Sequence, residues 1–95
     1  MKLIWSPTAD ESLTDIEAYL ARYSDAIADR WIKRIKLAAE GACHMPRKHR
    51  RVPEVDSDSI RDVIVDPYRI WFRILDADDT IQVLLVVHGA QQVPN

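Results

Sequence analysis

The sequence predicts an α+β fold: an N-terminal strand, an α-helical hairpin, then a three-stranded antiparallel β-meander. Three observations predict it. Ile60–Val65, Tyr68–Leu75 and Ile81–Val87 are runs rich in β-branched and aromatic residues, separated by Asp66-Pro67 and by Asp76-Ala77-Asp78-Asp79. Such runs bounded by Asp and Pro read as strands joined by tight turns. Two amphipathic helical stretches precede them, joined so closely that they must fold back on each other. Finally, one face of the folded meander is wholly apolar, and the helices are what can cover it.

Taken in order, Lys2-Leu3-Ile4-Trp5 is a short strand running into a helix-start signal. Ser6 is a suitable N-cap, Pro7 fits the first helical position, and Asp10 and Glu11 favour the positive end of the dipole. Ala9, Leu13, Ile16, Leu20 and Tyr23 then recur at the spacing of one helix face, predicting a helix over 7–23. Ser24-Asp25 interrupts the pattern and caps a second helix over 26–42. Its stripe is Ile27, Trp31, Ile35, Ala38 and Ala42, and Gly41 and Pro46 bracket its end. Residues 44–59 show no periodicity and read as an ordered surface loop with two charge clusters, basic Arg47-Lys48-His49-Arg50-Arg51 and acidic Glu54, Asp56 and Asp58. Ala90-Gln91-Gln92 begins a polar tail.

Pairing the second run of the meander with the third about Asp78-Asp79 puts Arg69 opposite His88, Trp71 opposite Val86 and Arg73 opposite Leu84. Side chains alternate across a strand, so Tyr68, Ile70, Phe72 and Ile74 share the apolar face with Val83, Leu85 and Val87. The other face carries Arg69, Trp71, Arg73 and His88.

The 95 residues suit a single domain spanning 1–95. An apolar fraction of 47% and a charged fraction of 29% are those of a globular chain. No apolar run approaches the ~20 residues of a membrane span, so no membrane partner is expected. The N-terminal stretch lacks a basic-then-apolar export pattern, and Cys43 is the single cysteine; both suit the cytoplasm. A net charge of −2 gives no general attraction to nucleic acid. Cys43-His44 lacks the four-ligand spacing of a zinc site, so no metal or cofactor is expected.

The element order, Pro53-Glu54-Val55, Ser59-Ile60-Arg61-Asp62-Val63-Ile64-Val65, Pro67-Tyr68-Arg69-Ile70-Trp71-Phe72-Arg73 and the closing Val87-His88-Gly89 together resemble the RelE/ParE toxin superfamily. The likeness runs from Trp5-Ser6-Pro7 to His88-Gly89. It implies the toxin half of a type II toxin–antitoxin module, neutralised by a cognate ParD-like antitoxin and touching operator DNA only through it. RelE-like members cut messenger RNA on the ribosome, whereas ParE-like members poison DNA gyrase and need no hydrolytic residues. RNA cutting needs groups that activate the ribose 2′-hydroxyl, stabilise a pentacoordinate phosphate and protonate the leaving oxygen. RelE-like members carry lysines where this chain has Ile60 and Asp62, and an arginine where it has Ala90-Gln91-Gln92. The resemblance therefore implies a ParE-like gyrase inhibitor without catalytic residues. The alternatives are a ribonuclease using Arg69 and His88, and an inactive homologue serving as an antitoxin-binding co-repressor.

Candidate contacts to target or antitoxin are Arg69, Trp71, Arg73 and the basic residues Arg47, Lys48, Arg50 and Arg51. Each has a plainer reading. Arg69 can pair with Asp62, Trp71 can pack beneath loop 44–59, and the basic block can pair with Glu54, Asp56 and Asp58. His88 can be a strand-end residue bonded to backbone, and Trp5 and Trp31 are most simply core.

Overall fold

A computed structural model describes residues 1–89. Its elements are β1 (Lys2–Trp5), α1 (Pro7–Ala21), α2 (Asp25–Ala42), β2 (Arg50–Arg51), β3 (Ile60–Val65), β4 (Tyr68–Leu75) and β5 (Thr80–His88). The Ala90-Gln91-Gln92 stretch lies outside the described residues. Both helices start where their caps predict. The Ser6 hydroxyl oxygen accepts from the Ala9 N–H at 3.0 Å, and that of Ser24 from the Ile27 N–H at 3.3 Å, each satisfying an otherwise orphaned helical donor.

The strands form one five-stranded sheet in the order β1-β5-β4-β3-β2, with β1 parallel to β5 and the other pairs antiparallel. The α1–α2 hairpin covers one face, α1 over β5 and α2 over β3. The core between the layers holds Ala9, Leu13, Ile32 and Ile35 from the helices against Tyr68, Ile70, Phe72, Ile74, Ile81, Val83 and Val86 from the sheet. The predicted helix-facing side of β4 is thus the observed one. The loop after α2 holds an element that the sequence reading lacked: Arg50 and Arg51 form an edge strand opposite Asp62 and Arg61. Two consecutive arginines carry no strand-like pattern, and the pairing comes from β3.

Register corrects the prediction for β5. Tyr68 lies opposite His88, Arg69 opposite Val87, Trp71 opposite Leu85 and Arg73 opposite Gln82. Pairing steps from Trp71–Leu85 directly to Phe72–Val83, so Leu84 is the extra residue of a β-bulge. Val83 and Val86 consequently both face the helices, while Leu84 and Leu85 pack on the far side around Trp71. Leu85 and Val87, expected in the helix-facing core, belong to the far face. The bulge is held by Ser6, whose N–H donates to the Val83 carbonyl at 3.0 Å and whose hydroxyl donates to the Leu84 carbonyl at 3.0 Å.

The buried side of α2 also differs from the predicted stripe: it is Ala28, Ile32, Ile35, Ala39 and Ala42. Ile27 is exposed and Trp31 only partly buried. The helix carries two overlapping apolar stripes, and the one with alanines at both ends lets its backbone approach the sheet more closely. Tyr23, placed on the α1 stripe, is exposed beyond that helix's end.

Phe72 has 1% exposure at the centre of the main core. Phe72→Ala should therefore lower stability by roughly 3–5 kcal/mol in urea melts. A loss below about 1 kcal/mol would contradict its placement.

Candidate functional site: a buried carboxylate between two arginines

The far face of the sheet, away from the helices, is organised by the register of β3 on β4. The turn at Asp66-Pro67 sets Val65 opposite Tyr68, which brings Asp62 opposite Trp71 and Ile64 opposite Arg69. Asp62 and Arg69 thereby become diagonal neighbours on one face, within reach of long side chains. The edge strand adds Arg50 directly across from Asp62.

These residues meet. The Asp62 side chain has no exposed surface, and both flanking guanidiniums donate to it. Arg50 Nε reaches Oδ1 at 2.6 Å and its Nη2 reaches Oδ2 at 3.0 Å. Arg69 Nε reaches Oδ2 at 2.9 Å, with its Nη2 at 2.8 Å. The outer edge of Arg69 donates to Glu54 through two parallel bonds, Nη1 to Oε2 at 2.6 Å and Nη2 to Oε1 at 2.9 Å. Burying an unpaired carboxylate costs several kcal/mol, so Asp62 depends on both arginines. Two arginines against two carboxylates leave the cluster formally neutral.

Titration follows the bonding. The hydrogen bond to Glu54 is the largest influence raising the Arg69 guanidinium, ahead of its bond to Asp62. Reciprocally, the bond from Arg69 is the main reason that the Glu54 carboxyl lies below the usual glutamate range. The bond to Asp62 likewise raises Arg50.

Loop 52–59 is fastened over this face from two sides. Val52 is buried with Ile60 and Trp71, and Val55 rests on the same cluster. Arg61 ties the far end of the loop to the segment before β2, donating to the Asp58 carbonyl at 2.9 Å and carboxylate at 2.7 Å, and to the Arg47 and His49 carbonyls at 3.2 and 3.0 Å. Trp71 lies on the predicted face but is 5% exposed, so it is not an exposed anchor; it packs beneath the loop. Its ring lies 5.3 Å from the Arg69 guanidinium.

Of the other candidates, Arg47 makes a two-bond pair with Asp76 at 3.1 and 2.8 Å, and Arg51 sits 3.6 Å from Asp56. Lys48 and Arg73 are exposed. The arginines of the basic block are thus divided among separate carboxylates. His88 lies opposite Tyr68, with the two rings edge-to-face at 5.7 Å, on the helix side of the sheet. Arg69 is on the other side, so Arg69 and His88 do not converge on one reacting group. Among the described residues no group of His, Cys, Asp and Glu is arranged to hold a metal ion.

His88 instead lines a groove of about 580 Å³ at the end of the helix hairpin, together with Ile16, Tyr19, Leu20, Trp31 and Tyr68. Trp31 stands edge-on to Tyr68 at 5.5 Å, and Arg34 lies over Trp31 at 4.4 Å. Of the groove's lining residues, only His88 stood among the sequence-predicted site candidates. Its signal is Tyr19, an aromatic side chain exposed on α1 beside the core stripe.

Residues 3–93 match the family model described as the ParE toxin of the type II toxin-antitoxin system parDE. The chain belongs to the ParE toxin family. Toxin RelE2 of Caulobacter vibrioides is 28% identical over 91 residues, covering 95% of this chain and 97% of that protein. A chain from the chromosomal ParDE system of P. aeruginosa shares the fold with a TM-score of 0.75 at 19% identity, over 93% of this chain and 95% of that one. A chain of the RelBE2 toxin–antitoxin complex from Mycobacterium tuberculosis does so with a TM-score of 0.69 at 17% identity, over 92% and 95%. At these identities the two structures speak for the fold alone. In this ParE-family toxin Ile60 is buried with Val52 and Trp71, and Asp62 holds Arg50 and Arg69. Neither position presents a cation.

Two outcomes test the cluster. Arg69→Ala leaves Asp62 buried with one partner and should cost about 3–5 kcal/mol, whereas Arg73→Ala, on an exposed side chain, should scarcely alter the urea midpoint. Glu54 should titrate below the ordinary glutamate value of about 4.3, followed by carboxyl-carbon NMR, and return toward it in Arg69→Gln. Because its folded-state value is depressed, the stability it contributes is present above the unfolded-state value and is lost as pH falls through the folded-state one. An unperturbed Glu54 titration would contradict the pairing with Arg69.

Proposed function

We propose that this type II toxin acts by binding protein, with DNA gyrase as its target and a ParD-like antitoxin as the partner that silences it. The observation that carries the reading is the closure of Arg69. An RNA-cutting site needs a cation free to meet the phosphate and a proton-transfer group beside it. Here the arginine donates to Asp62 and Glu54, and His88 lies across the sheet from it. A binding protein needs shaped surface with aromatic and arginine anchors. The groove lined by Tyr19, Trp31 and Tyr68, with Arg34 over Trp31, supplies such a surface. Operator DNA is reached, in this reading, only through the antitoxin.

A second reading, a ribosome-dependent messenger ribonuclease, is favoured by one observation, the relative named Toxin RelE2. Two assays on the purified toxin decide between them. The first reading expects inhibition of gyrase supercoiling or trapping of its cleaved-DNA complex, with ribosome-bound messenger left intact. Codon-specific messenger cuts that vanish in Arg69→Ala or His88→Ala would overturn it in favour of the second.

The antitoxin part has its own test. A partner that binds only the folded toxin raises its melting temperature by mass action, by about 2.7 kcal/mol of stability at a hundredfold excess over Kd. The cognate antitoxin should do so; equal melting temperatures with and without it would contradict this part.

A further inference from the structure

We propose that Glu54 is the internal occupant of a carboxylate site built on Arg69, and that a protein segment with an acidic side chain between apolar ones takes its place. This rests on the reading of a protein partner given above, but only for the source of the segment.

Half of the site is fixed. Arg69 Nε is held by Asp62 at 2.9 Å, Asp62 is held from its other side by Arg50, and the Trp71 ring backs the guanidinium at 5.3 Å. The free edge of the guanidinium is therefore aimed in one direction before any ligand arrives, which lowers the cost of binding. What meets that edge is a carboxylate in paired, two-bond geometry, the strongest arrangement an arginine makes.

The other half is movable. The Glu54 side chain is 39% exposed, against 13% for Arg69 and none for Asp62. It lies between strands, in the loop after the β2 edge, and its carboxylate hydrogen-bonds to Arg69 and to the backbone of Glu54 itself, not to any other strand residue. Turning that side chain outward breaks no strand pairing. Val52 and Arg61, which fasten the loop, do not depend on it.

The surroundings select the guest. Directly across from Arg69 on the same face are Ile64, 51% exposed, on one strand and Val87 on the other. An acidic residue flanked by apolar ones would place its carboxylate on Arg69 and its neighbours on these two side chains. It would also exchange one carboxylate for another, keeping the cluster's charge balance. A nucleic-acid backbone offers repeated phosphates and no apolar flank, on a chain whose net charge is −2. The protein segment is the better match. Glu54 then sets the affinity, because a guest must displace it, and the apparent affinity falls by the fraction of time for which the site is filled internally.

The test uses full-length protein and a short capped peptide with one glutamate between leucines, titrated while the Arg69 Nε–H signal is followed by NMR. Glu54→Ala should bind this peptide at least about tenfold more tightly than the unaltered chain, since the internal competitor is gone. The gain should disappear with a glutamine-containing peptide. It should also disappear in Glu54→Ala combined with Arg69→Lys, which keeps a charge beside Asp62 but not the two-bond fork. A melting curve establishes that Glu54→Ala is folded; if it is not, Glu54→Gln, a weaker acceptor of the same shape, takes its place with a smaller gain. Equal affinities of the variant and the unaltered chain, or an equal gain with the glutamine peptide, would overturn the proposal. So would a gain seen with a single-stranded RNA oligonucleotide but not with the peptide. Neither gyrase nor antitoxin enters this assay, so its failure is distinct from failure of the function proposed above.

Discussion

Asp62 is the residue on which the far side of the molecule depends. A carboxylate with no exposed surface is tolerable only when its oxygens are filled, and here they take N···O contacts of 2.6, 3.0, 2.9 and 2.8 Å from two arginines. Those arginines come from different strands. Satisfying Asp62 therefore draws Arg50 onto the sheet edge, fixes Arg69 on its central strand and gives Glu54 a place to dock. The loop that carries Glu54 closes over Trp71 and buries Val52, forming a small second core opposite the main one. One buried charge thus organises an edge strand, a loop and the state of the one arginine that the family resemblance singles out.

Much of this was legible from the residues. The Ser6 and Ser24 caps, the helix hairpin, the three long strands and the core side of β4 all follow from local pattern, because capping and period-two alternation act over a few residues. The face of Arg69 and Trp71 followed as well, and so did the plainer readings that Arg69 pairs with Asp62 and that Trp71 packs beneath the loop. These required only the β3–β4 register, which the short Asp66-Pro67 turn sets.

What was not legible depended on one extra residue. Nothing around Leu84 marks a bulge: there is no glycine, and the run Val83-Leu84-Leu85-Val86-Val87 is uniformly apolar. Counting back from the Asp78-Asp79 turn without it moves Val87 and His88 to the wrong faces, because a one-residue slip exchanges the two sides of a strand. The expected pairing of Arg69 with His88 came from centring the turn on Asp78-Asp79, whereas the strands already pair at Leu75 and Thr80, and the bulge offsets only half of that difference. The choice between the two stripes of α2 was similarly hidden, since it is settled by how closely the helix approaches the sheet. Glu54 reaches Arg69 from a loop without periodicity, so its role emerges only once Val52 and Arg61 have set the loop's path.

The proposal that this type II toxin binds rather than cuts rests on the strength of the Asp62–Arg69 contact. The most direct measurement is a double-mutant cycle on stability with Asp62→Ala, Arg69→Ala and both together. Direct charge-assisted bonding in a water-excluded position predicts a coupling energy of about 1.5–3 kcal/mol. Strictly additive losses, with no coupling between the two sites, would mean that Arg69 is not held by Asp62 and would contradict the account.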